Sequence, residues 1–89
     1  MHAVVVRVTI DDFESAREFL TTRVVPRVSQ APGLVAGYWT RGEDGGLSMI
    51  VLESEDAAES VRQMIESNTP QDQGVTIQGV EVREVVASA

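Results

Sequence analysis

Residues 32–41 read Pro-Gly-Leu-Val-Ala-Gly-Tyr-Trp-Thr-Arg, and this stretch decides how the rest of the chain can be arranged. The opening Pro-Gly is typical of the end of a helix, and the apolar run after it is typical of a β-strand. The stretch also holds the only tyrosine, Tyr38, and the only tryptophan, Trp39, of the 89 residues. Because neighbouring strand residues point to opposite faces, one ring should lie under the helices and the other on the far face. The sequence leaves open which ring takes which face.

Three further strands can be read outward from this one. Residues 47–53 form a second apolar run after the Gly-rich segment 42–46, so the two runs predict a β-hairpin with a five-residue turn. Residues 2–10 are rich in β-branched side chains and predict a strand at the start of the chain. Residues 75–86 predict a last strand, in which Gly79 indicates a bulge.

Two amphipathic helices separate these strands. The first begins at Asp11, with Glu14 at the position of a capping-box acid, and Pro26 predicts a kink in it. Its apolar stripe is Phe13, Ala16, Leu20, Val24 and Val28, with Phe19 beside it. The second is capped by Ser54-Glu55-Asp56 and precedes a polar loop over residues 68–74 that contains Pro70. Its apolar stripe is Ala57, Ala58, Val61, Met64 and Ile65.

The element order β-α-β-β-α-β predicts a ferredoxin-like α+β sandwich, an antiparallel four-stranded sheet with two helices on one face. A chain of 89 residues has room for one hydrophobic core, so we expect one domain over residues 1–89. The strands are apolar at both parities, whereas the open face of a monomeric sheet would be polar. A contiguous apolar patch normally marks an interface, so we expect this face to pack against a second copy in a homodimer.

Composition excludes several classes of function. The net charge of −7 leaves no cationic footprint for nucleic acid and disfavours an anionic membrane surface. The absence of cysteine excludes thiolate chemistry, and the absence of lysine excludes Schiff-base chemistry. With one histidine and no metal-spaced carboxylates we expect no metal. No apolar run is long enough for a membrane helix and the start does not resemble a signal peptide, so we expect a cytoplasmic protein.

The element order, the helix with Pro26, Pro32-Gly33 followed by Gly37-Tyr38-Trp39, and the segment Leu52-Glu53-Ser54-Glu55-Asp56-Ala57-Ala58 resemble the dimeric α/β-barrel superfamily. The chain is most similar to its small branch of antibiotic-biosynthesis-monooxygenase-like proteins. The resemblance implies two sheets that face each other in a homodimeric barrel, with a ligand cavity between helices and sheet or inside the barrel. It also implies a choice of activities, among them cofactor-independent oxidation of aromatic polyketides and degradation of haem. The haem-degrading members use an Asn near the first strand and a His on a helix, and this chain has neither.

Five residues are candidates for binding a ligand: Arg7, Tyr38, Trp39, Arg41 and Asn68. Trp39 or Tyr38 could form a stacking wall for a flat aromatic ligand, or could pack in the core or at the dimer contact. Arg7 could bind a carboxylate or phenolate of a ligand, or form a salt bridge to Glu53, Glu81 or Glu84. Asn68 completes the polar set, and His2 is either a general base or an exposed terminal residue.

These residues favour two functions. One is a monooxygenase-like protein that oxidises a small aromatic or quinonoid metabolite without a cofactor. The other is a non-catalytic small-molecule-binding or structural homodimer. Catalytic residues remain unassigned, because no pair of acid and base or nucleophile elbow stands out in the sequence.

Overall fold

The computed structural model describes residues 1–68 and 74–89. The strands are β1 (His2–Ile10), β2 (Leu34–Gly42), β3 (Gly45–Leu52) and β4 (Val75–Glu84). The first helical region consists of α1 (Phe13–Phe19), a π-helical segment (Leu20–Val24) and α2 (Val25–Ser29), and the second is α3 (Glu55–Asn68). Within the described residues the strands form one antiparallel sheet in the order β2-β3-β1-β4, which confirms the predicted ferredoxin-like α+β fold. The loop predicted around Pro70 lies outside the described residues.

The sheet has a helix face and an open face, and the strand register assigns every residue to one of them. Val4 of β1 lies opposite Ile50 of β3, and both are buried beneath the helices. Val28 of α2 and Val61 of α3 join the same buried cluster, so both helical regions cover this face. A register shift in β2 places Leu34 on the helix face with Trp39, whereas strict alternation along the strand would place Leu34 on the same face as Tyr38.

The first helix begins one residue later than predicted. Asp12, rather than Asp11, is the N-cap, and its carboxylate accepts hydrogen bonds from the backbone N–H and the hydroxyl of Ser15, the latter at 2.9 Å. Asp11 belongs instead to the junction with β4, where its carboxylate accepts a hydrogen bond from the Thr76 hydroxyl at 3.1 Å. Glu14 therefore stands two residues after the cap, and the predicted capping box from Asp11 is wrong.

Because Asp12 and Asp11 differ in role but not in charge, they form a matched pair for a stability measurement. We expect Asp12→Ala to lower the free energy of unfolding by about 0.5–2 kcal/mol, as loss of an N-cap typically does. Asp11→Ala removes one exposed hydrogen bond and should cost less than about 0.5 kcal/mol. Urea unfolding followed by circular dichroism measures both, and a larger loss in the Asp11 variant would contradict the cap assignment.

Pro26 disturbs the first helical region as predicted, and the form of the disturbance is a π-helical turn. Proline has no N–H and its ring collides with the carbonyl four residues earlier, so the regular hydrogen-bond ladder cannot continue through it. The chain widens in the preceding segment, where the N–H of Val25 donates to the carbonyl of Leu20. The hydroxyl of Thr22 satisfies the carbonyl of Glu18 at 2.6 Å. The widened turn lies directly above the helix face of the sheet.

The β2–β3 hairpin, the irregularity in β4 and the start of α3 are all close to what the sequence predicts. The turn between β2 and β3 is tighter than the predicted five residues, because Gly42 pairs with Gly45 and only residues 43 and 44 connect them. Gln78 is the extra residue of a bulge next to Gly79, which confirms the predicted irregularity in β4. The hydroxyl of Ser54 accepts a hydrogen bond from the N–H of Ala57, which confirms the cap of α3. No helix in the described part of the chain is both long and apolar enough to cross a membrane.

Candidate functional site

A cavity of about 470 Å³ lies between the first helical region and the helix face of the sheet. This volume is in the range of small-molecule sites, which are typically roughly 300–1,000 Å³. Its floor is formed by strand residues such as Val6, Val8 and Ile50, and its roof by helix residues such as Leu20 and Val24. The lining is mainly apolar because both elements turn their hydrophobic faces toward each other. The π-helical segment before Pro26 contributes part of the roof.

Trp39 lines this cavity together with two other aromatic residues, Phe13 and Phe19. It lies on the helix face of β2, opposite Ser48 of β3, and it is half-buried. The indole ring lies directly over Gly37, because a Cβ atom built at that position would come within 3.1 Å of the ring. Any residue larger than glycine there would crowd the ring. Of the two rings whose placement the sequence leaves open, Trp39 is therefore the one beside the cavity.

Ser48 is the one buried polar residue in the described part of the chain, with 8% of its surface exposed. It lines the cavity beside Trp39, its cross-strand neighbour, and its hydroxyl has no hydrogen-bond partner among the described residues. Buried hydroxyl groups are normally hydrogen-bonded, so an accessible one in an apolar wall can bind a polar atom of a ligand. Nothing in the sequence distinguishes Ser48 from an exposed serine, because only the register shows that it faces inward.

Arg41, the second predicted residue at this site, also lines the cavity. Its guanidinium carbon lies 3.7 Å from the centre of the Phe13 ring, an arrangement that is stabilised by attraction between the cation and the ring's π-system. Phe13 belongs to the first turn of α1, so this contact joins the end of β2 to the start of the first helical region. The structure thus brings Trp39 and Arg41 together at one site.

Arg7 and Tyr38 lie on the open face of the sheet, away from the cavity. The guanidinium of Arg7 donates to Glu81 at 3.2 Å, which confirms the salt bridge that was the alternative to ligand binding. Glu81 also accepts a hydrogen bond from Nε of Arg83 at 2.8 Å. Hydrogen bonding to Arg83, together with the positive charges of Arg83 and Arg7, lowers the pKa of the Glu81 carboxyl below its ordinary value.

Two polar candidates remain, Asn68 and His2. Asn68 is the last residue of α3, and its side chain lies outside the described part of the chain. His2 is not the exposed terminal residue that the sequence suggests: its side chain is 22% exposed, and its Nε2 lies 3.8 Å from Glu55 at the start of α3. It does not line the cavity.

Three cavity residues of the first helical region, Arg17, Arg23 and Arg27, were missed by the sequence analysis. A signal for them exists in the sequence. Residues 17–41 hold four of the seven arginines and one acidic residue, Glu18, in a chain with fourteen acidic residues. Arg17 has Glu14 three residues before it, but Arg23 and Arg27 have no acidic residue three or four positions away, so these two cannot form ordinary helix-surface ion pairs.

The chemistry available in the cavity is limited. Among the described lining residues the ionisable groups are all arginines, which stay protonated and cannot act as a general base. The hydroxyl of Thr21 is already engaged with the carbonyl of Arg17 at 3.0 Å. This site can therefore bind, stack and orient a ligand and stabilise negative charge, but its described walls hold no carboxylate or imidazole that could accept a proton.

Comparisons of sequence and of structure give different results. No protein-family model and no curated protein sequence matches the chain. Among solved structures it is similar to HapK from Hahella chejuensis, with a TM-score of 0.67 at 10% identity, over 100% of this chain and 96% of that one. It is similar to the monooxygenase ActVA-Orf6 from Streptomyces coelicolor in complex with the ligand nanaomycin D, with a TM-score of 0.54 at 16% identity, over 99% and 92%.

A third similar structure is a heme-degrading protein from Mycobacterium tuberculosis in its heme-free form, with a TM-score of 0.53 at 21% identity, over 100% and 99% of the two chains. At such identities the likeness concerns the fold. The chain therefore has the ferredoxin-like fold that these three proteins share, and this is the fold that the resemblance in its sequence implied.

Proposed function

We propose that the cavity between the helices and the sheet binds a flat, mainly apolar small molecule of the aromatic or quinonoid class. The observation that carries this proposal is the apolar cavity itself, whose floor carries Trp39 and, beside it on the neighbouring strand, the unpartnered hydroxyl of Ser48. A ring system can stack on the indole while one of its oxygen atoms bonds to the serine. Such a combination of an apolar lining and a few placed polar groups is typical of small-molecule sites.

The reaction that we propose is a cofactor-independent oxygenation by dioxygen. One oxygen atom enters the ligand and the other leaves as water, with the ligand itself supplying the electrons. A reaction of this class fits a cavity whose described walls lack a base. Since no side chain there can accept a proton from the ligand, the ligand has to carry its own ionisable group. The fold of the monooxygenase from Streptomyces coelicolor supports the same class of activity. The lack of a base equally favours the second candidate, a protein that binds the same kind of ligand without changing it.

We further propose that the protein is a homodimer formed through the open face of the sheet. The side chains exposed there include Tyr38, 65% exposed, and Leu47 and Met49, each 43% exposed. Within the four described strands the charged residues on this face are Arg7, Arg83 and Glu81, which sum to +1 in a chain of net charge −7. Two copies can therefore approach through this face without the repulsion that their other surfaces would cause.

Fluorescence of Trp39, the only tryptophan, tests the binding proposal directly. We expect hydroxyquinones and flat polyketide phenols to quench it saturably, beyond the collisional quenching of free tryptophan amide. Gly37→Val should push the indole into the cavity and weaken binding about tenfold, or about 1.4 kcal/mol. Arg7→Ala and Tyr38→Phe, both on the open face, should leave the affinity unchanged.

The same titration separates the two candidate functions. Saturable binding followed by oxygen uptake and a changed ligand spectrum supports the oxygenase, whereas binding without either supports the non-catalytic protein. Linear, unsaturable quenching by every compound, equal to that of the free amide, would contradict a ligand site at Trp39.

A further inference from the structure

The seven arginines divide into two groups by their partners. Three of them form ion pairs: Arg7 with Glu81, Arg83 with Glu81, and Arg62 with Glu59 and Glu66. The other four form no ion pair with any described residue, and these are Arg17, Arg23, Arg27 and Arg41. All four line the cavity, and none of the three paired arginines does.

These four arginines lie where the cavity opens to solvent. Each is an exposed residue that nevertheless lines the cavity, so each belongs to its rim. Three of them lie on the first helical region and one on β2, so the cationic groups come from both the helix side and the sheet side of the cavity. Arg41 is held there by its contact with Phe13.

The electrostatic setting of the rim is unusual for this chain. Acidic residues outnumber arginines by fourteen to seven, yet no acidic residue lies among the described residues that line the cavity. Unpaired guanidinium groups beside a low-dielectric, apolar interior attract an anion more strongly than the same groups on an open surface. Arginine is also the side chain best suited to bind a carboxylate or another planar oxyanion.

We infer that the cavity selects aromatic anions: a flat ring system that enters the apolar interior and carries a carboxylate, or an ionised phenol or enol, held at the rim by these arginines. This inference rests on the proposed function and narrows its ligand class. The lining is mainly apolar and the cationic groups are confined to the rim. Such a cavity suits a hydrophobic ligand with one acidic group. It does not suit a polyphosphate, whose charges would have to lie against apolar walls.

A pair of compounds that differ only in charge tests the inference. Naphthoate and its uncharged amide, naphthamide, have the same ring and nearly the same size, and only the first is an anion at neutral pH. We expect naphthoate to quench Trp39 with an affinity at least about fivefold higher than that of naphthamide at low salt. Since salt screens exposed charges, the ratio should shrink between about 0.02 M and 0.5 M sodium chloride.

Single variants then locate the selectivity. Arg17→Gln, Arg23→Gln, Arg27→Gln and Arg41→Gln should each lower the affinity for naphthoate by roughly two- to fivefold and leave that for naphthamide unchanged. Arg62→Gln removes the same charge from α3, away from the cavity, and should change neither affinity. Circular dichroism at the titration temperature shows whether each variant is folded.

The possible outcomes separate the selection of anions from the proposed binding of aromatic ligands in the cavity. Equal affinity for the two compounds in the native protein, or a loss in Arg62→Gln as large as in the rim variants, overturns the selection of anions while the cavity remains a ligand site. Failure of every aromatic compound to quench Trp39 saturably overturns the proposed function and the inference together.

Discussion

Replacement of Met49 by glutamate should convert the protein from a dimer to a monomer at micromolar concentration. Met49 lies near the centre of the open face, with Val5 opposite it on β1 and Tyr38 opposite it on β2. In a two-fold symmetric contact each copy would bring one carboxylate into the apolar interface. Burial of an unpaired charge typically costs several kcal/mol, so we expect the dissociation constant to rise at least about 100-fold. Sedimentation velocity over a concentration series measures this directly.

The control places the same charge elsewhere. Gln63 is exposed on α3, and Gln63→Glu adds one negative charge without touching the sheet, so this variant should sediment like the native protein. A dimer that persists in Met49→Glu would show that the copies meet through another surface. A native protein that sediments as a 9.6 kDa monomer at micromolar concentration would contradict the dimer altogether.

The sequence carries enough information for the fold because local and long-range signals agree in it. Alternation in residues 2–10 separates Val4 and Val6 from Val5 and Arg7, and the structure places the two sets on opposite faces of β1. Ser54 marks the start of α3 through the preference of its hydroxyl for a backbone N–H. Periodicity and capping chemistry act within a few residues, so they can be read without knowledge of what packs against what.

The site was harder to predict because it depends on which strand faces meet which helix. The register shift beside Leu34 in β2 puts that residue on the same face of the sheet as Trp39, although simple alternation would put the two on opposite faces. No local pattern in the sequence predicts this shift. Arg7 resembled a ligand-binding residue only as long as its partner, 74 residues away, was unknown. Arg23 and Arg27 have no acidic residue within helical pairing distance, but this feature of the sequence points to a site only once a cavity is seen beside them.

Gly45→Ala should be among the most damaging single changes in the described part of the chain, although the side chain it adds is one methyl group. Gly45 has φ +121°, a conformation that side chains other than hydrogen rarely adopt, and a Cβ there would lie 2.4 Å from the backbone carbonyl oxygen of Val8. A backbone strain of about 1–3 kcal/mol is expected from the conformation, and the collision adds to it. Because the colliding atom is backbone, the hairpin has to move away from β1 to relieve the contact.

Gly42 is the matched control, because it lies across the same turn in register with Gly45. Its φ is not in the left-handed region, and a Cβ there would meet no atom within 4 Å, so Gly42→Ala should change the unfolding free energy by less than about 0.5 kcal/mol. Thermal unfolding at one protein concentration should show Gly45→Ala melting at least about 10 °C below Gly42→Ala. Arg41 and Gly46, which pair across this hairpin, both line the cavity, so a displaced turn should also weaken binding of the aromatic probes. Equal melting temperatures for the two alanine variants would mean that the turn has another conformation, and with it another position for Arg41 at the rim.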